Sequence, residues 1–123
     1  MLKGKWGTTL NTEELYQLSF QLILHSGNAK SSAMEAIQEA KKKDFQAARE
    51  KLIESDKEIS QAHKIQTSFL HREAGGDQFT IPIILIHAQD HLMTAIMLKD
   101  LATEMVEMRE EIYEESLGKA VAE

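Results

Sequence analysis

The sequence predicts an all-α fold: three long helices packed as an antiparallel bundle. Three observations predict it. One proline in 123 residues and little β-branched alternation leave nothing that imposes strand. Apolar residues return every three or four positions through three long segments. Two short polar breaks, at 41–44 and 75–77, divide those segments. A chain this short is expected to form a single domain, 1–123.

Residues 1–10, with Trp6 among glycines, read as a flexible arm. The first helix should open at Asn11 or Thr12, because Asn11 and Glu14 have capping-box spacing. Leu15, Leu18, Leu22, Ala29, Ala33, Ala36 and Ala40 mark its inward face. Gly27 interrupts it and is expected to kink it. Lys41, Lys42 and Lys43 end it, where cations suit the negative end of the dipole. Asp44 then caps the second helix. Its inward face is Phe45, Ala48, Leu52, Ile59, Ala62 and Phe69, with polar Ser55 and Gln66 on the same side. Gly75, Gly76 and Asp77 stop it. Thr80 is placed to cap a third helix with Pro82 in its first turn. That helix should end near Glu115, with 116–123 a frayed tail.

The third helix does not suit a lone bundle. Residues 81–98 are apolar on all sides, and a helix apolar all round is buried all round. Two neighbours cannot cover that circumference. Self-association with the third helices near a symmetry axis is the expected solution.

Composition narrows the function. Twenty acids against fourteen bases give a charge of −6, and no basic stripe suits nucleic acid. Absence of cysteine excludes a thiolate nucleophile or metal ligand. The longest apolar runs, such as residues 83–86, are far short of a membrane span. A cytoplasmic protein is expected. The whole charge excess lies in 90–123, which holds nine acids and three bases. That acidic end hints at a partner surface.

Within the apolar third helix sits a polar patch. His87, Asp90, His91 and Thr94 share an arc of roughly 100°, and Gln89 points nearly opposite. A carboxylate carried to a symmetry axis meets its own copies, and a shared cation or shared protons would relieve their repulsion. Oxygen donors favour a hard ion such as magnesium. Histidine is both a covalent nucleophile and an acid–base. Three readings follow: a histidine-based transfer site, a helical oligomerisation module whose patch only fixes register, and a metal-dependent hydrolase using His87, Asp90 and His91. The last lacks the glutamate of the His-Glu-x-x-His pattern. Of the other histidines, His71 reads as solvated, His63 as packing or surface, and His25 is open.

The octapeptide from His87 to Thr94 resembles the enzyme IIA component of the lactose/cellobiose (chitobiose) family of the bacterial phosphoenolpyruvate-dependent sugar phosphotransferase system. The resemblance runs over about residues 12–113. Gly27-Asn28-Ala29-Lys30-Ser31, Lys43-Asp44-Phe45 with Ala48, Ala62-His63 with Gln66-Thr67, and Glu73-Ala74-Gly75 also resemble family segments. Lys43 stands where the family commonly has glycine, and Asn28 where aspartate is frequent.

The resemblance implies a homotrimer of three-helix subunits, a nine-helix bundle. It implies that the phosphocarrier protein HPr donates a phosphoryl group to Nε2 of His87, which passes it to the IIB component. Association with the membrane would be indirect, through IIB and IIC. Asp90 would meet its symmetry mates around magnesium on the axis. Gln89 and His91 are candidates for contacts to the phosphoryl oxygens or to His87. On the same resemblance the sugar would be a β-linked disaccharide, cellobiose or chitobiose before lactose.

Overall fold

The computed structural model describes residues 11–122. Three helices form it: α1, Thr12–Lys41; α2, Phe45–Ala74; and α3, Ile83–Ala122. The arm expected at 1–10, Trp6 included, lies outside the described residues. The short connections make α2 antiparallel to both α1 and α3, so α1 and α3 run parallel.

The start of α1 follows from Asn11. Its Oδ1 accepts the Glu14 amide at 2.8 Å, and its Nδ2 donates to the Glu14 carboxylate at 3.2 Å. The helix passes through Gly27 without ending. Lys42, Lys43 and Asp44 then close a Schellman turn: the Asp44 amide donates to the Glu39 carbonyl and the Lys43 amide to the Ala40 carbonyl, both at 3.0 Å. Lys43 takes φ 66°, the left-handed position that favours glycine. Asp44 caps α2 by accepting the Ala47 amide at 3.1 Å.

The second turn repeats the motif, with Gly76 at φ 102°. The Asp77 amide donates to the Arg72 carbonyl at 3.0 Å, and the Asp77 carboxylate accepts from Arg72 Nε at 3.1 Å. Two sequence expectations for α3 need correction. The Leu85 amide donates to the Pro82 carbonyl, so the helix opens after Pro82 and Thr80 stays in the connection. At the other end α3 continues to Ala122. The stretch expected to fray is helical because it holds strong formers such as Leu117 and Lys119, and Gly118 alone does not break it.

The core is narrow. Among the described residues, nine of the sixteen buried hydrophobic ones are alanine, so the helices approach closely and large side chains are left outside. Leu22, Ile59, Ala62, Ala88, Leu92 and Ala95 form the middle of the core. Leu15, Phe69 and Leu85 close one end, and Ala36, Ala40, Ala48 and Val106 the other. α1 packs extensively on both partners, whereas α2 and α3 meet along a thinner seam. Across that seam Lys99 pairs with Asp56 at 3.0 Å, Arg49 with Glu110, and Gln66 with Gln89.

The outer face of α3 carries Ile83, Ile86, Met93, Met97, Leu101, Met105, Met108 and Ile112, all exposed. In the single chain the expected excess of apolar surface is thus real, and it collects on one face.

Candidate functional site

Three helix faces organise the polar patch. Ala88, Leu92 and Ala95 point into the core. One flank of α3 turns towards α1 and carries His87 and His91. The opposite flank turns towards α2 and carries Gln89. Asp90 lies between them on the outer, apolar face, flanked by exposed Ile86, Met93 and Met97.

His87 is exposed, and its ring meets that of His91 at a centroid distance of 4.6 Å, nearly perpendicular at 88°. His91 is half-buried. Its Nδ1 lies 3.1 Å from the Lys30 ammonium on α1. Burial first, then the Lys30 charge and the neighbouring His87, pushes His91 below the usual imidazole range, while Asp90 opposes them. Burial and the Lys30 charge both favour the uncharged ring. The Thr94 hydroxyl donates back to the Asp90 carbonyl at 2.9 Å and to the His91 carbonyl at 3.1 Å, so it is engaged by its own helix.

Gln89 stands apart from His87 within the chain. Its Oε1 accepts from Gln66 Nε2 at 2.6 Å on the α2 side. With Asp90 it edges an open groove of about 290 Å³ lined by Phe69, Leu70, Phe79, Ile81, Leu85 and Ile86. The remaining histidines are accounted for. His25 Nδ1 meets the Glu58 carboxylate at 2.7 Å, and His63 and His71 are exposed.

Among the described residues no three His, Cys, Asp or Glu side chains of one chain converge to hold a metal ion. Within one chain His87, Asp90 and His91 do not make the three-ligand centre of the hydrolase reading. Among the same residues, no helix is long and apolar enough to cross a membrane.

Residue-level reading overlooked Lys30. It is 61 positions from His91 in sequence. Its place beside Ala29 puts it at the margin of the inward stripe of α1, which does not reveal what it meets on α3.

Residues 17–110 match the family described as the lactose/cellobiose-specific IIA subunit of the phosphotransferase system. The chain belongs to this family. It is 48% identical over 103 residues to the lichenan-specific phosphotransferase enzyme IIA component of Bacillus subtilis, covering 84% of this chain and 94% of that protein. It is 37% identical over 105 residues to the N,N'-diacetylchitobiose-specific EIIA component of Escherichia coli, covering 85% and 90%. Among solved structures, the cellobiose-specific enzyme IIA of Bacillus anthracis superposes with a TM-score of 0.78 at 44% identity, over 85% of this chain and 94% of that one. The IIA(Chitobiose)–HPr complex of the Escherichia coli phosphotransferase system gives 0.72 at 36% identity, over 83% and 99%. The three-helix fold is thus that of IIA proteins, and the chain is a phosphotransferase-system IIA component.

Proposed function

We propose that this IIA protein is a phosphohistidine carrier with His87 as the acceptor, taking its phosphoryl group from HPr and giving it to a IIB component. The observation that carries the reading is His87 itself: an exposed imidazole with its ring against a half-buried second imidazole. A carrier must be reachable by protein partners on both sides of its transfer, and the face at His87 is open. The relative whose structure is a complex with HPr supports the donor.

By the family resemblance HPr carries the group on a histidine of its own, so the transfer is an exchange between two imidazoles. A ring-nitrogen lone pair of His87, by the family resemblance that of Nε2, forms a bond to phosphorus. The bond from phosphorus to the donor imidazole breaks, and its electron pair returns to that ring. No water is consumed and no redox step occurs. Catalysis is positioning and charge stabilisation. The half-buried His91 supplies a polar group beside the acceptor, and apolar Ile83 lies one turn before it on α3. The second transfer repeats the exchange with a nucleophile of IIB.

The apolar outer face of α3 supports self-association with that face on the axis, and the family resemblance makes the assembly a homotrimer. Asp90 is the one ionised side chain amid Ile86, Met93 and Met97, a position that is costly to cover unless the charge is offset. Its lone carboxylate suits a hard cation shared between copies, such as magnesium. When bound, that ion neutralises the gathered carboxylates and takes no part in the transfer. The relatives' names favour a β-glucan-derived sugar such as cellobiose over lactose, since the lichenan and cellobiose proteins are 48% and 44% identical.

The test is to incubate the chain with enzyme I, HPr and phosphoenolpyruvate. An acid-labile, base-stable adduct is expected on the wild type and none on His87→Gln.

A further inference from the structure

Resting on the assignment of His87 as acceptor, the geometry points to Lys30 as a positioning residue: its ammonium occupies the Nδ1 lone pair of His91 and holds that ring as the Nε2–H tautomer beside His87.

The argument starts from donor and acceptor inventories. An ammonium has three N–H groups and no lone pair, so across the 3.1 Å contact Lys30 can only donate. His91 Nδ1 must then be the unprotonated nitrogen. The proton of the neutral ring sits on Nε2. No carboxylate lies within ion-pair distance of Lys30 among the described residues, unlike Lys42, Lys51 and Lys99. Its position is half-buried, and among the described residues its polar partner is His91 alone.

The consequence falls on the transfer. The two rings are in contact, and both are imidazoles. A His91 free to choose its tautomer would spend part of its time with a bare lone pair on Nε2. That lone pair would repel phosphoryl oxygens and compete with His87 as a nucleophile. With Nδ1 taken by Lys30 and Nε2 protonated, His91 has no lone pair to offer. It becomes a donor to phosphoryl oxygens, charge-reinforced through its ring by the lysine behind it. One of two touching histidines is thereby made the acceptor and the other its support.

The experiment compares full-length wild type, Lys30→Met and Lys30→Arg, with helix content checked by circular dichroism. Ring ¹⁵N chemical shifts of His91, recorded above the imidazole titration range, report the tautomer. Wild type and Lys30→Arg should show His91 protonated on Nε2, and Lys30→Met a mixture of tautomers. The phosphorylation rate from phospho-HPr should fall about tenfold in Lys30→Met and be largely kept in Lys30→Arg. A wild-type His91 protonated on Nδ1, or a Lys30→Met protein with wild-type tautomer and rate, overturns the proposal and leaves the carrier reading standing. A wild type that takes no phosphoryl group overturns the carrier reading, and the proposal with it.

Discussion

The buried Ser55 hydroxyl on α2 donates to the Ala29 carbonyl on α1 at 2.8 Å. This bond staples the two helices at the middle of a core made mostly of alanine. One turn earlier on α1, Ser26 is equally buried, and its hydroxyl has no hydrogen-bond partner among the described residues.

These two serines should respond oppositely to alanine. Ser55→Ala loses a buried bond and should cost about 1 kcal/mol. Ser26→Ala removes an unsatisfied hydroxyl and should be neutral or stabilising by up to about 1 kcal/mol. Urea unfolding of both variants, at one protein concentration, checks the contrast.

The two Schellman turns offer a second pair. Lys43 holds a left-handed conformation that glycine adopts without penalty, so Lys43→Gly should stabilise the chain by about 1 kcal/mol. Gly76→Ala should destabilise by a similar amount, since φ is 102° there although space is open around the new Cβ. Thermal unfolding of the two variants is the measurement.

Met97 is 64% exposed on the outer face of α3. In an isolated chain Met97→Lys would change little. If that face is the assembly interface, the lysine brings an unpaired charge into it, and sedimentation should show dissociation at concentrations where the wild type stays assembled.

Asp90 tests the same face from the other side. Asp90→Leu removes the repulsion between copies while extending the apolar stripe. Sedimentation should show an assembly as tight as the wild type or tighter, and magnesium should no longer affect it. Loss of all assembly in this variant would contradict a cation that only offsets charge.

Much of this architecture was legible in the sequence because local rules govern it. Asn11 and Asp44 are strong caps before periodic segments, and they cap as read. The inward stripes through Leu22 and Ala62 follow from helical period alone. The surplus of apolar residues in α3 announced an uncovered face. Helix ends were less legible: Pro82 moved the start of α3 past Thr80, and 116–122 stayed helical because propensity outweighed a single glycine. At the site, the wheel separated Gln89 from His87, and the Gln66 bond then explained where Gln89 goes. The Lys30–His91 contact was out of reach, since no periodicity within α1 reveals which residue of a parallel helix its lysine will meet.

The most direct test of the central claim is phosphoryl transfer from phospho-HPr to the wild type and to His87→Gln, followed by intact mass. The account predicts one phosphoryl group per wild-type chain, carried on His87 and lost in acid, and none on the variant. A His87→Gln chain that accepts phosphate as fast as the wild type would contradict it.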